Sequence, residues 1–194
     1  MTAGTIAPSS TARARILDTA TRLFYARGLR AVGVDTIIAE SGVAKATFYK
    51  HFPAKDDLIA AYLDGVDAMW TAQLHAAADA AGPAPGDQLV GLFDALGAAC
   101  RQDGYRGCGF INAAAETAPG TVAHARTVAH KQRVLAWLAD LAREAGAGHP
   151  DRLARSLALL LDGALASGVL DADPEAVEVA RQTAADLVQQ ALAA

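Results

Sequence analysis

The sequence predicts an all-α protein, and three observations support this fold class. Ala and Leu dominate the 194 residues, and no segment alternates β-branched with polar residues as a half-buried strand would. Apolar positions instead recur at helical spacing, and glycine and proline divide the chain into about nine helical segments. The composition, 53% apolar and 20% charged, is typical of a globular protein with one domain or two modest ones.

The first four helices follow from local signals. Ile16 and Leu23 share one helical face, and Gly28 after them supplies a left-handed helix end. Gly42 separates two short helices, and Pro53 ends the second because the residue before a proline avoids helical geometry. The helices are expected at Thr11–Arg27, Val34–Ser41, Ala44–His51 and Lys55–Ala80.

A breaker rich in glycine and proline at residues 81–86 separates these helices from the rest of the chain. Residues 1–10 contain no apolar core of a signal peptide, so a disordered tail is expected there. No uncharged run approaches the ~20 residues that cross a bilayer, and two cysteines form no disulfide framework. A cytoplasmic protein with no membrane partner is therefore expected. The five later helices are predicted at Asp87–Arg101, Gly107–Thr117, Gly120–Ala145, Pro150–Ser167 and Pro174–Ala193.

Charge is distributed unevenly along the chain. Residues 1–55 carry eight basic against three acidic side chains, a formal charge of +5. Residues 56–194 carry nine basic against eighteen acidic side chains, a formal charge of −9. Unless this clustering is accidental, a basic N-terminal part attached to an acidic remainder predicts that the N-terminal part binds a polyanion.

Residues 34–52, VDTIIAESGVAKATFYKHF, are typical of two short helices joined by a tight turn at 41–43. The apolar residues of this segment are spaced to pack the two helices against each other and against the first helix. The polar residues of the second short helix are left exposed, and such a helix fits the major groove of DNA. The exposed residues are Lys45, Thr47, Tyr49, Lys50 and His51.

The same segment resembles the DNA-binding part of the TetR family of bacterial repressors. The matching pattern is V-D-x-I-x-x-x-x-G-V-x-K-x-T-x-Y-x-H-F followed by K-x-x-L, from Val34 to Leu58. The preceding helix, with Leu23, Phe24 and Gly28, fits as well, so the resemblance covers roughly residues 12–60. It implies a helix-turn-helix domain at 11–55, then a helical-bundle domain at 56–194 for ligand binding and dimerisation. The implied partners are a palindromic double-stranded DNA operator, a second copy of the chain and an unknown small-molecule effector.

Carried over position by position, the resemblance assigns contacts with DNA to eight residues. Tyr49 and His51 would face the phosphate backbone, whereas Lys45 and Thr47 would reach the bases or adjacent phosphates. Tyr49 has a packing role as its alternative, and Lys50 is either a further contact or a solvated charge. The remaining phosphate contacts are expected from Arg30, Thr36 and Lys55.

Three positions depart from the family pattern. Gly33, Ala44 and Ala54 stand where a Ser or Thr usually begins the second, third and fourth helices. Loss of a side-chain cap costs about 0.5–2 kcal/mol for alanine and less for glycine. Packing rather than capping is therefore expected to hold these helices.

The resemblance places the effector site in the acidic part of the chain. Bulky residues among many alanines and glycines predict a mostly apolar cavity with a few polar groups, unless they form ordinary core. The predicted lining residues are Met69, Trp70, Gln73, Phe93, Leu96, Phe110, Asn112, Glu116 and Trp137.

The last two helices are apolar over more than one face. They are expected to pair with their copies in a dimer, the alternative being two core helices of a monomer. The predicted interface residues are Leu153, Leu157, Leu160, Leu161, Ala164, Val177, Ala184, Leu187 and Val188.

Two other classes of protein are alternatives to a ligand-responsive repressor. An enzyme is disfavoured because the sequence contains no P-loop, dinucleotide fingerprint, nucleophile elbow or HExxH motif. Cys100, Cys108, His124 and His130 match no familiar zinc spacing, so no metal and no cofactor is expected. A thiol-based redox regulator would keep the DNA-binding part and use Cys100 or Cys108 as its sensor, beside neighbouring arginines.

Overall fold

The computed structural model describes residues 11–170 and 174–193, and the tail predicted at 1–10 lies outside the described residues. The described chain is helical and contains no β-strand, as predicted. It forms ten helical segments, and the fifth and sixth are separated by a single residue, so that together they make the predicted nine. The segments are α1 (Ala12–Arg27), α2 (Val34–Ser41), α3 (Lys45–His51), α4 (Lys55–Ala80), α5 (Pro85–Gly91), α6 (Phe93–Cys100), α7 (Gly109–Glu116), α8 (Val122–Glu144), α9 (Pro150–Leu170) and α10 (Pro174–Leu192).

Local hydrogen bonds define both ends of α1. Thr11 caps the helix, since its Oγ1 accepts a hydrogen bond from the amide of Ala14 at 3.2 Å. At the other end Gly28 has a φ of 90°, which favours glycine, and its amide donates to the carbonyl of Phe24. Gly42 ends α2 in the left-handed conformation. Both glycines therefore end their helices as the sequence predicts.

The three departures from the family pattern have different outcomes. Gly33 and Ala44 begin α2 and α3 without a side-chain cap, as expected. At the start of α4, however, Asp57 Oδ2 accepts a hydrogen bond from the amide of Ala54 at 2.9 Å. This contact is half of a capping box, so a residue inside the helix compensates in part for the alanine at 54.

The first three helices share their core with later parts of the chain. We call residues 11–55 the head and the described residues from 56 onward the body. The buried residues of the head pack together with Leu58 and Tyr62 of α4 and with Phe110 and Ala113 of α7. Because packed interiors transmit displacement, a movement of α4 or α7 acts directly on the head.

The helix predicted at 87–101 is two helices, α5 and α6, which meet at Leu92. The amide of Ala95 donates a hydrogen bond to the carbonyl of Leu92 at 3.2 Å. This bond spans three residues, as in a 3₁₀-helix, and not the four of an α-helix. Gly91, just before the break, lies against the end of α4, where a Cβ would come 2.3 Å from the Cβ of Ala81. The helix predicted at 87–101 is therefore interrupted only at Leu92, next to a glycine whose missing side chain allows the close approach to α4.

The body has a second core, in which α8 and α10 both pack on α9. Seven of the nine residues predicted at the dimer interface are buried in this core, and Leu160 and Leu187 pack against it half-buried. For the seven buried residues the assignment to an outward surface is therefore wrong, because the sequence of a helix that is apolar on two faces does not show which face points inward. The seven buried residues are Leu153, Leu157, Leu161, Ala164, Val177, Ala184 and Val188.

The outward side of α9 is apolar as well. Leu159 is 73% exposed and Leu170 is 80% exposed, three turns apart along the helix. By length and composition alone α9 could cross a membrane, with a mean hydropathy of 1.5 over its most apolar window, but its inner side forms part of the body core. We call one group of exposed small and apolar residues on the last two helices the outer face, and it consists of Leu159, Gly163, Ala166, Leu170 and Val179.

Candidate nucleic-acid interface and effector site

The helix α3 has a buried apolar side and an exposed polar side. Phe48 is fully buried in the head core, and its ring centroid lies 6.2 Å from that of Phe52. Tyr49 packs edge-on against Phe48 at 5.3 Å, yet 42% of its surface is exposed. Tyr49 therefore combines a packing contact with an accessible surface, and its two alternative roles are compatible.

The other residues predicted to contact DNA differ in exposure. Lys45 Nζ lies 3.5 Å from Asp35 Oδ1, and both side chains are exposed. Exposed pairs of this kind contribute at most about 1 kcal/mol, so Lys45 can exchange this partner for a phosphate or a base. Arg30, Lys45, Tyr49 and Lys50 are exposed, whereas Thr36, Thr47 and His51 are half-buried.

Glu40 joins the helices α1 and α2. Its carboxylate accepts a hydrogen bond from Arg22 at 2.6 Å and lies 3.5 Å from the guanidinium of Arg27. The hydrogen bond from Arg22 lowers the pKa of Glu40 below its ordinary value. Two of the eight basic residues of the head are thus engaged in holding α1 to α2.

The carboxylate of Glu116, at the end of α7, binds the loop between α1 and α2. Its Oε1 accepts a hydrogen bond from the amide of Leu29 at 3.1 Å, and its Oε2 accepts one from the amide of Arg30 at 2.8 Å. Gly28 permits this approach, since a Cβ there would lie 2.5 Å from Oε1. These are charge-assisted hydrogen bonds, and they connect the body to the loop that precedes α2.

Lys55 takes part in the same contact and is half-buried. Its Nζ donates a hydrogen bond to the carbonyl of Leu29 at 2.6 Å and lies 5.9 Å from the centre of the Phe24 ring. Burial of the amine lowers the pKa of Lys55, and the charge of Glu116 opposes this effect. The amine of Lys55 is therefore already engaged by a backbone carbonyl, and its predicted phosphate contact stays a prediction. We call Glu116, Lys55 and the backbone of residues 28–30 the junction.

Tyr25 makes a second link between head and body. Its hydroxyl donates to the carbonyl of Gly107 at 3.1 Å and accepts from the amide of Arg106 at 2.9 Å. The side-chain amide of Asn112 donates to the carbonyl of Arg106 at 2.7 Å. Neither the contacts of Glu116 nor those of Tyr25 are predicted from the sequence, because their partners lie more than 80 residues away along the chain. The one signal in the sequence is the isolated acid, Glu116, that ends the uncharged run after Arg106.

A cavity of about 260 Å³, which we call the α4 cavity, lies beside α4 and the start of α7. Four predicted lining residues do line it: Met69, Trp70, Gln73 and Phe110. Two others, Asn112 and Glu116, line a neighbouring junction cavity of about 230 Å³.

Three predicted lining residues lie elsewhere. Phe93 and Leu96 are fully buried in the body core, and Trp137 stacks on His75 with ring centroids 4.1 Å apart. Neither of these two cavities includes them, so the structure does not bring these three residues together with the other predicted lining residues. Bulk and apolar character alone do not distinguish the wall of a cavity from a packed core.

His130 lies behind Phe110, with the two rings stacked 3.9 Å apart. Its Nδ1 is 2.6 Å from Asp67 Oδ1, and Arg133 pairs with the other oxygen of the same carboxylate. Burial lowers the pKa of His130, and the hydrogen bond with Asp67 opposes this effect. His130 therefore serves as a buried support for the cavity wall.

The head alone and the described chain as a whole both match known proteins. A sequence profile described as "Bacterial regulatory proteins, tetR family" matches residues 16–62. The crystal structure of SCO4454, a TetR-family transcriptional regulator from Streptomyces coelicolor, is similar over 94% of both chains, with 42% identity and a TM-score of 0.81. The chain belongs to the TetR family. TetR-family regulators are transcription factors, not enzymes; they bind DNA and act as dimers with small-molecule effectors.

Two curated relatives match over shorter segments. The HTH-type transcriptional regulator LmrA of Bacillus subtilis is 44% identical over 48 residues, which are 25% of this chain and 26% of LmrA. The HTH-type transcriptional repressor Rv3405c of Mycobacterium tuberculosis is 40% identical over 67 residues, which are 34% of this chain and 36% of the relative. The chain therefore matches only about a quarter to a third of the length of these curated relatives.

Proposed function

We propose that this TetR-family chain is a cytoplasmic, homodimeric repressor that leaves its DNA operator when a small molecule occupies the α4 cavity. The observation that carries the proposal is the exposed polar side of α3 on a basic head of formal charge +5. The relative from Mycobacterium tuberculosis is named a repressor, which supports this direction of regulation.

In the proposed complex, α3 enters the major groove. Lys45 and Thr47 contact base edges or the adjacent phosphates, while Tyr49 and His51 contact the phosphate backbone. Lys50, Arg30 and Thr36 add contacts to phosphate. Because the junction holds the amide of Arg30, it also positions this residue for its contact.

A second copy of the chain is proposed to cover the outer face. Full burial of one leucine stabilises an interface by about 1.5–3 kcal/mol, and a twofold axis counts each residue twice. Gly163 and Ala166 leave room for close approach of the paired helices. We therefore expect Leu159→Glu to raise the dimer dissociation constant at least about tenfold, as measured by analytical ultracentrifugation. The control is Val128→Glu on α8, which also replaces an exposed apolar residue but lies away from the outer face. An unchanged dissociation constant for Leu159→Glu would show that the interface lies elsewhere.

Release from the operator is proposed to pass through α7. This helix of eight residues begins with Gly109 and Phe110 at the α4 cavity and ends with Glu116 at the junction, about 12 Å away. An effector that displaces Phe110 moves α7, and Glu116 then shifts the loop before α2. The start of α4 shares the same core and moves with it. The effector changes operator affinity only by its difference in affinity for the two arrangements.

The DNA-binding part is tested by selection from a random double-stranded DNA library with the full chain. We expect enriched sequences to be inverted repeats whose half-sites are about 34–36 Å apart, one turn of DNA. Affinity for such a site should fall steeply with salt concentration, because binding releases counterions. Failure to enrich any sequence would refute operator binding, and enrichment of asymmetric sites would refute the symmetric dimer.

The redox alternative receives no support from the described contacts of either cysteine. Both thiols are half-buried; Cys100 lies against Gly168, and Cys108 precedes the first residue of α7. A thiol sensor is therefore not part of the proposed function.

A further inference from the structure

The α4 cavity holds a buried polar group that has no partner in the described part of the protein. Tyr62 is only 3% exposed, and its hydroxyl makes no hydrogen bond with any described residue. Every described side-chain nitrogen or oxygen that is fully sealed from solvent has a hydrogen-bond partner. The hydroxyl of Tyr62 is therefore not sealed from solvent, and Tyr62 lines both the α4 cavity and the junction cavity.

Gly109 keeps the space beside this hydroxyl open. A Cβ at Gly109 would lie 3.2 Å from the hydroxyl oxygen of Tyr62. Gly109 is not among the glycines with a positive φ, so the backbone itself does not require glycine at this position. The missing side chain therefore leaves an approach to the Tyr62 hydroxyl.

The remaining lining favours an uncharged ligand. Arg22 and Asp103 are the charged residues that reach the α4 cavity; they have opposite signs and are exposed, and Arg22 is already paired with Glu40. An ion bound inside would lose its hydration without gaining a buried counter-charge. Burial raises the pKa of Tyr62, so its hydroxyl stays neutral and available as a donor. The apolar walls are supplied by Val66, Met69, Trp70, Phe110 and Leu165.

The junction cavity, which Tyr62 also lines, is less suited to such a ligand. Its wall contains Arg27, Arg106 and the carboxylate of Glu116, and Glu116 is already engaged by two backbone amides. An apolar molecule there would bury these polar groups without satisfying them.

The shape of the α4 cavity limits the size of the ligand. Tyr62, Val66, Trp70 and Gln73 follow one another at spacings of three or four residues, so they share one face of α4 over about 16 Å. Gln73 is half-buried and also makes no hydrogen bond with a described residue. A cavity of about 150 Å³ is known to accept benzene, so about 260 Å³ accommodates a molecule with roughly two rings.

We propose that the α4 cavity binds an uncharged molecule of roughly two rings whose oxygen acceptor takes a hydrogen bond from Tyr62. This inference rests on the proposed function only in taking the α4 cavity as the effector site.

The test uses four probes of similar size and the full chain in isothermal titration calorimetry. The probes are 2-acetonaphthone (uncharged, with a carbonyl acceptor), 2-ethylnaphthalene (no acceptor), 2-naphthoate (an anion) and protonated 1-(2-naphthyl)ethylamine (a cation). We expect 2-acetonaphthone to bind about fivefold more tightly than 2-ethylnaphthalene, the size of one neutral hydrogen bond. Both ions should bind at least about tenfold more weakly than the ketone, because neither finds a buried counter-charge.

Two variants locate the binding. Tyr62→Phe should abolish the preference for the ketone over the hydrocarbon without lowering the melting temperature, because no internal hydrogen bond is lost. The matched control is Tyr49→Phe on α3, which should leave the preference intact. Val66→Phe should fill the α4 cavity and weaken every probe that the cavity binds, since Val66 lines this cavity and not the junction cavity.

Several results would overturn the inference. For the unmodified chain, these results are an ion that binds more tightly than the other probes, equal affinity for the ketone and the hydrocarbon, or no binding of any probe. For the variants, they are a preference for the ketone that survives Tyr62→Phe, or probe affinities that Val66→Phe leaves unchanged. Operator affinity of the ligand-free chain is measured separately. If the chain binds its operator but none of the probes, only this inference is refuted. If the chain binds the probes as expected but no operator, only the proposed function is refuted.

Discussion

Replacement of Glu116 by glutamine tests whether the junction holds the head to the body. The carboxylate accepts one hydrogen bond at each oxygen, from the amides of Leu29 and Arg30. Glutamine has nearly the same shape but carries one acceptor oxygen and one amide nitrogen. One backbone amide would therefore face a donor, and the other would retain only a neutral partner.

The expected loss of stability follows from the weakening of these two hydrogen bonds. A hydrogen bond to a charged group contributes about 1.5–3 kcal/mol, and a neutral one about 1 kcal/mol. Glu116 is half-buried, so the lower end of the charged range applies. We expect Glu116→Gln to lower the free energy of unfolding by about 2 kcal/mol, which for a chain of this length lowers the melting temperature by about 4–8 °C.

Two measurements check this prediction at a fixed protein concentration, because dimerisation also affects apparent stability. Thermal unfolding gives the global effect, and hydrogen exchange of the Leu29 and Arg30 amides gives the local one, with faster exchange expected at one or both. The control is Glu144→Gln, which neutralises an exposed glutamate at the end of α8. If Glu116→Gln melts and exchanges like this control, the junction does not contribute to stability and the reasoning is refuted.

Three further predictions follow from the same contacts. Gly28→Ala would place a Cβ 2.5 Å from Glu116 at a position with a φ of 90°, so it should lower the free energy of unfolding by more than about 1 kcal/mol in thermal unfolding. The control is Gly33→Ala, which should not do so because a Cβ at Gly33 would meet open space. In operator titrations across salt concentrations, Lys50→Ala should reduce the slope of log affinity against log salt by about 1. Lys55→Ala should leave this slope unchanged, because the amine of Lys55 is bound to the carbonyl of Leu29. Equal slopes for both variants would contradict this assignment. Burial lowers the pKa of His130 in the folded chain, so protonation favours unfolding, and its contribution to stability is present above about pH 6.5 and lost as the pH falls below that value. His130→Gln should therefore show a smaller fall in melting temperature than the unmodified chain between pH 7.5 and 5.5, and an identical fall would show that His130 does not cause the acid sensitivity.

Much of the head is determined by local sequence. The ends of α1 and α2 at Gly28 and Gly42 and the course of α3 depend on backbone preferences and apolar spacing within a few residues. For the same reason the exposed side of α3 is visible in residues 44–52, and the uneven distribution of charge is apparent before any fold is known. The family resemblance of this segment agrees with the family of the whole chain.

The contacts that Lys55 and Glu116 make depend on tertiary structure that no local pattern encodes. Lys55 is a basic residue at the start of α4, where the family resemblance implies a phosphate contact. Its amine nevertheless donates a hydrogen bond to a carbonyl 26 residues earlier in the chain. Glu116 was expected to line a pocket, and it does line the junction cavity, but its oxygens bind amides more than 80 residues away.

The sequence by itself determined the helical class, the exposed polar side of α3 and the basic head, because each depends on neighbouring residues or on simple composition. The tertiary structure alone decided which apolar side of α9 faces the core, which bulky residues surround a cavity, and how α7 joins that cavity to the head. A helix that is apolar on two sides satisfies either orientation in sequence, and only packing against α8 and α10 selects one of them.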